Sequence, residues 1–179
     1  RDRMGRWASI RITTASSRKI RIISAYQVCN TTSTGTNTAA AHQRSQLIEE
    51  AAVLPTMHRV NPRQAFVQEL QSLIHQVQND QEEIILAGDF NDDITKSDSG
   101  MQTIATSRGL FSVRLGTAEQ PATIQRGTRR LDYILISPTL LPHIKAAGYD
   151  PFGYRIPSDH RGMYVDFDTE SLLQQDLFP

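Results

Sequence analysis

A single cysteine, Cys29, in 179 residues excludes an internal disulfide framework and suits a reducing compartment better than an extracellular one. Excess charge is missing too. Nineteen Lys and Arg face nineteen Asp and Glu, a formal net charge of zero. A grip on nucleic acid by bulk positive charge is thereby excluded, and any such grip is local. No apolar run approaches the roughly 20 residues of a membrane-spanning helix, and no signal-peptide pattern precedes the first strand. The expectation is an intracellular, non-secreted chain with no membrane partner. Asn30-Thr31-Thr32 has the form of a glycosylation acceptor but reads as a chance triplet. Internal repeats are lacking. With 39% hydrophobic and 21% charged residues, the chain reads as one globular domain with one core.

What is present is a succession of strand and helix patterns. Trp7, Ala8, Ile10 and Ile12 alternate with polar residues, a Thr-Ala-Ser-Ser turn follows, and Lys19 to Tyr26 forms the return strand, so 7–26 reads as an antiparallel hairpin ending at Tyr26. Residues 30–41 are small and polar and read as a loop. Helices are expected at 43–54 and, more strongly, at 63–79, where Phe66, Leu70, Leu73, Ile74 and Val77 share one face. A strand at 83–88, a polar loop and a short helix at 99–108 come next. Strands are then expected at 122–126, 130–137, 144–149 and 162–168, with Pro138 and Pro142 bracketing a turn of helix. Hairpins alternating with covering helices imply an α/β or α+β layered sandwich of mixed sheets.

Three acidic motifs stand at strand ends: Gly88-Asp89-Phe90-Asn91, Leu131-Asp132-Tyr133 and Ser158-Asp159-His160. Hydrolysis of a phosphate ester needs oxygen ligands for a divalent cation, a base for water and donors for the phosphoryl oxygens. Asp89 and Asp159 can act as ligand or base, Asn91 as an amide donor, and His160 as a ring that Asp132 can orient. Each residue alone has a plainer reading. A lone Asp beside a strand is usually a turn former or cap, and a lone His a surface residue. The arginines of 121–130, Arg126, Arg129 and Arg130, read equally as an anion-binding edge or as a solvated hairpin turn.

Tyr26, Gly-Asp-Phe-Asn at 88–91, Arg130-Leu131-Asp132-Tyr133-Ile134-Leu135-Ile136-Ser137 and Ser158-Asp159-His160, in that order, resemble the endonuclease/exonuclease/phosphatase superfamily. Pro-Ala-Thr-Ile with Arg-Gly and Arg-Leu-Asp-Tyr-Ile-Leu-Ile-Ser, then Ser-Asp-His-Arg-Gly and Val-Asp-Phe-Asp, resemble the endonuclease-like domains found beside reverse transcriptases in mobile elements, and Ala25-Tyr26 resembles the strand-end Tyr of the apurinic/apyrimidinic-type and retrotransposon-type endonuclease branches. The resemblance implies a deoxyribonuclease I-like four-layer sandwich of two packed mixed sheets flanked by helices. It places that domain at 1–168 and a tail or the start of a next segment at 169–179. It also implies that the family's first-strand Asn and strand-end Glu lie upstream of Trp7, so that the chain corresponds to the C-terminal two-thirds of the domain and lacks its first strands.

The same resemblance assigns roles. Asp89 orients or deprotonates the attacking water, and Asn91 contacts the scissile phosphate or the metal. Asp159 binds metal or polarises water, His160 donates to a phosphate oxygen, and Asp132 holds that His. Tyr26 is either a phosphate contact or a structural tyrosine. Asp89, Asn91 and Asp159 are the implied metal set, for Mg²⁺ or Mn²⁺. The implied activity is DNA nicking by a mobile element whose full-length protein carries a reverse transcriptase and works in the nucleus. A catalytically impaired remnant or binding module, and an inositol- or lipid-phosphate phosphatase, are the alternatives.

Overall fold

The computed structural model describes residues 2–30, 37–53, 61–113, 120–154 and 157–173. Strands β1 (Trp7–Thr13) and β2 (Lys19–Tyr26) form the expected hairpin. Helices α1 (Ala39–Val53) and α2 (Pro62–Asn79) follow, then β3 (Glu83–Asp89), α3 (Gly100–Arg108), the two-residue β4 (Phe111–Ser112) and β5 (Asp132–Ile136). A 3-10 turn at Pro138–His143 leads into β6 (Ile144–Tyr149), β7 (Met163–Phe167) and α4 (Thr169–Leu173). The main sheet runs β1-β2-β3-β5-β4. Its β2/β3 pair is parallel and the others antiparallel, which makes it mixed, while β6 and β7 form a second, small sheet. This is an α+β architecture with a main mixed sheet and a second, smaller antiparallel sheet. Among the described residues no helix is long and apolar enough to cross a membrane.

Strand periodicity divides the main sheet into two apolar faces. Ile23, Ala25, Ile84, Leu86 and Leu135 meet Phe66, Leu70, Ile74 and Val77 of α2 and Met101 and Ile104 of α3. Phe66, Leu70 and Ile74 are essentially fully buried, and each such side chain stabilises the fold by about 1.5–3 kcal/mol. The opposite face, with Ile20, Ile22, Ile85, Ile134 and Ile136, packs on Val165 and Phe167 of the second sheet and on Leu140 and Leu172. Ile10 and Ile12 lie in register with Ile22 and Ile20 on this face but are 62% and 39% exposed and stand outside that cluster.

Several boundaries depart from the sequence expectation for local reasons. Helix α1 begins at Ala39 rather than 43, since the Thr38 hydroxyl accepts from the Ala41 amide and three alanines then favour helix. Residues 31–36 of the expected loop, and 54 at the expected helix end, lie outside the described residues. The expected strand at 122–126 is a single bridge, Ile124 to His160. Pro121 has no amide to donate, and the Thr123 hydroxyl accepts from the Leu131 and Asp132 amides, which also delays β5 to Asp132. Residues 169–173 form α4, capped by Asp168 and anchored by buried Leu172.

Candidate active site

The register places Tyr26, Asp89 and Asp132 side by side, at the ends of β2 and β3 and the start of β5. Their positions alternate in phase with Ile22, Ile85 and Ile134, so all three belong to the face turned toward the second sheet. Each residue of the Gly-Asp-Phe-Asn string does a separate job there. A Cβ on Gly88 would stand 1.8 Å from the Ala25 carbonyl oxygen, so only glycine lets β3 lie this close to β2. Phe90 is fully buried between Phe66 and Tyr133, with ring centroids 6.4 and 6.2 Å away. It pins the strand end so that its neighbours face outward.

Asn91 adopts a left-handed backbone, φ 45°, which asparagine tolerates better than most residues. The turn folds it back on Asp89. Its amide N–H donates to Asp89 Oδ1 at 3.0 Å and its Nδ2 to Asp89 Oδ2 at 3.1 Å and to the Gln27 carbonyl at 2.9 Å. Burial raises the Asp89 pKa and the nearby Asp132 charge acts in the same direction, against the Asn91 hydrogen bonds and the His160 ring.

Thr123 brings the third motif in. Gln125 donates to the Asp159 carbonyl and Arg161 to the Thr123 carbonyl, both at 2.8 Å, so 123–125 and 159–161 run as a short ladder. The completely buried Thr123 hydroxyl binds the entry to β5 at the same time. His160 Nδ1 consequently sits 3.0 Å from Asp132 Oδ2. Burial opposes the charged ring, but the hydrogen bond and charge of Asp132, with Asp89 and Asp159 adding to it, raise the His160 pKa. Carboxylate oxygens of Asp89 and Asp132 and a ring nitrogen of His160 all lie within 4.8 Å of one another.

The remaining candidates are placed differently. Asp159 is exposed and lies outside that trio, though its charge reaches His160. Tyr26 is 40% exposed, and burial, the Cys29 thiol and Asp89 all raise its pKa. Arg126 and Arg129 are exposed. Arg130 stacks on the Tyr133 ring with its guanidinium 4.7 Å from the centroid and donates to the Ser112 hydroxyl, so it is occupied structurally. Glu82 and Glu83 pair with Arg21 and Arg18 at the far end of β3, roughly 20 Å along the strand from Asp89.

The profile of the Endonuclease/Exonuclease/phosphatase family matches residues 9–160, from the first strand through His160. The chain belongs to this family. Among solved structures, it is similar to the endonuclease domain of TRAS1, a telomere-specific non-LTR retrotransposon, at 16% identity and TM-score 0.59, covering 90% of this chain and 63% of that one. It is similar to the human Nocturnin catalytic domain at 23% identity and TM-score 0.50, covering 90% and 58%. The 3'-5' exonuclease NExo from Neisseria meningitidis matches at 18% and 0.53, covering 89% and 64%. At these identities the likeness is one of fold, and the chain spans less than two-thirds of each of these family structures. Among curated proteins none matches by sequence.

Family members use divalent metals, and this chain's donors fit one. Two carboxylates and an imidazole converge within 4.8 Å, and burial together with Asp132 lifts the Asp89 pKa, a charge crowding that a hard cation would relieve. The identity of the metal is a separate matter. Three supporting residues had no legible signal. Thr123 has no partner nearby in sequence. Asp92 ties the loop to α3 by accepting from Ser99 Oγ and the Met101 amide, both at 3.0 Å. The thiol of Cys29 donates to Asn91 Oδ1 at 3.2 Å.

Proposed function

We propose that this chain carries the catalytic end of a Mg²⁺- or Mn²⁺-dependent phosphodiester hydrolase that nicks DNA, of the kind found in mobile elements. The observation that carries the reading is the convergence of Asp89, Asn91, Asp132 and His160 at one end of one sheet. Substrate class is supported by relatives that act on DNA, including a Neisseria enzyme bound to a product DNA hairpin and the retrotransposon endonuclease domain. DNA rather than a head-group phosphate is the proposed substrate.

In this mechanism Asp89 accepts the proton of the attacking water. Its two oxygens are already steered by the Asn91 amide groups, so its orientation is set before substrate arrives. Asp132 accepts from Nδ1–H of His160 and thereby turns Nε2 toward the phosphate. The raised pKa keeps that ring a donor near neutrality, able to stabilise charge developing on a phosphoryl oxygen. Tyr26, one strand over from Asp89, is positioned to add a second donor. Asp89 would hold the cation beside the Asp132–His160 pair it converges with, and Asn91 and Asp159 are the further ligands that the family pattern suggests. Once bound it would neutralise phosphoryl charge and lower the pKa of water. Arg126 and Arg129 lie on the exposed segment that precedes β5, where a flanking phosphate can pass.

The test is nicking of supercoiled plasmid by protein carrying this chain, with and without Mg²⁺. Asp89→Asn and His160→Ala are expected each to slow nicking by about 10²-fold or more. Wild-type rates in both variants, or an equal rate in EDTA, would overturn the reading.

A further inference from the structure

Beside Asn91 the chain forms an open cleft of about 700 Å³ between the first turns of α2, the segment after β2 and the loop leading to α3. Its volume suits a nucleotide-sized ligand. We infer that this cavity seats a nucleobase next to the phosphate under attack, an assignment that deepens the DNA-hydrolase reading and rests on it.

Six of the fourteen lining residues carry amide side chains, Gln27, Asn30, Asn61, Gln64, Gln68 and Asn91, and six carry charges of both signs. Amides present a donor and an acceptor in one plane, which is what the edge of a base presents in return. Gln27 is the most telling of them. It is 1% exposed, its Nε2 donates to the Arg63 carbonyl at 3.3 Å, and its Oε1 has no partner among the described residues. A buried acceptor without a donor is rare in a folded protein, and this one meets a donor in the cleft when the Gln27 side chain turns toward it. Gln27 also joins the two sites, because its amide donates to the Asp89 carbonyl and its carbonyl accepts from Asn91 Nδ2.

The electrostatics argue against a second phosphate as the occupant. Arg63, Lys96 and Arg129 are balanced by Asp92, Asp93 and Asp98 around the same cavity. Arg63 is already committed, donating to the Val28 carbonyl at 2.7 Å and facing Asp92 at 3.7 Å. The start of α2 offers no free anion site, since Pro62 lacks an amide hydrogen and Asn61 Oδ1 caps the next two amides. A neutral, planar, hydrogen-bonding group fits where an anion does not, with Val67 supplying an apolar surface.

The decisive experiment measures binding, without turnover, of two fluorescent single-stranded octanucleotides in EDTA: one of mixed sequence and one wholly abasic with the same number of phosphates. Wild type is expected to bind the base-bearing strand at least tenfold more tightly. The Gln64→Ala/Gln68→Ala double variant changes only exposed rim residues, and it is expected to close most of that gap while leaving abasic affinity unchanged. Gln27→Leu is expected to do the same if it folds, and the double variant stands if it does not. Equal binding of both strands by wild type, no binding of either, or a gap that survives the double variant would each overturn the assignment. Base-dependent binding by a protein that never nicks plasmid would sink the hydrolase reading and leave the cavity assignment in place.

Discussion

Asp132 and His160 make the clearest statement at the scale of single residues. The folded imidazole pKa is raised, so the pair's contribution to stability is fully present below the unfolded value of 6.5 and is lost as pH climbs through the folded value. In metal-free protein, an NMR titration of His160 is expected to give a midpoint above 6.5, and Asp132→Asn is expected to lower it. An unchanged midpoint would remove Asp132 as the proton's partner. Gly88 makes a different demand. Its missing Cβ would overlap backbone rather than a movable side chain, so Gly88→Ala is expected to cost roughly 3 kcal/mol, read as a drop in denaturation midpoint. The motif residues were legible because their chemical types cluster at strand ends. Cys29 near Asn91 was not, since 62 residues separate the two and only the parallel pairing of β2 with β3 brings them together.

Among elements, the short ladder between 123–125 and 159–161 matters more than its length suggests. Removing the Thr123 hydroxyl leaves the Leu131 and Asp132 amides without their acceptor at the foot of β5. Thr123→Val, nearly equal in volume, is expected to cost about 1–3 kcal/mol and to lower kcat more than it raises KM. Thr123→Ser is expected to restore both, and a fall in stability with unchanged kcat would limit Thr123 to a structural part. The hairpin, α2 and β3 were readable from the 2.0 and 3.6 residue periods. The failure at 122–126 has a physical origin: a threonine side chain substituted for strand hydrogen bonds, and no periodicity reports that. Strand β4 spans two residues, too few for any pattern, and the start of α1 was hidden because Thr38 reads equally as loop or cap.

Viewed whole, the molecule keeps the Arg18–Glu83 and Arg21–Glu82 ion pairs and its proposed chemistry at opposite ends of one sheet. Hydrogen bonds from Arg21 hold the Glu82 carboxyl low against its burial, with Arg11 adding to them. At Glu83 burial pushes upward, but the hydrogen bond and charge of Arg18 prevail and lower the pKa. Both groups therefore contribute stability that is complete above the unfolded glutamate value of 4.5 and vanishes as pH falls through the lower folded values. The melting temperature is expected to be level above about pH 5 and to drop below 4.5, with the drop blunted in Glu82→Gln/Glu83→Gln. A melting curve equally acid-sensitive in the variant would move the effect elsewhere.

The isoleucines of β1 bear on how the chain behaves among its own copies. Among the described residues, Ile10 and Ile12 lie on the outer strand of the sheet, β1, which is paired on one side only, with β2. Greasy side chains and open hydrogen-bonding groups on one margin form a template that another extended segment can join, and identical chains supply such segments in proportion to their number. Crowding, more than heat, is then the condition under which these strands would join those of a second copy of the same segment.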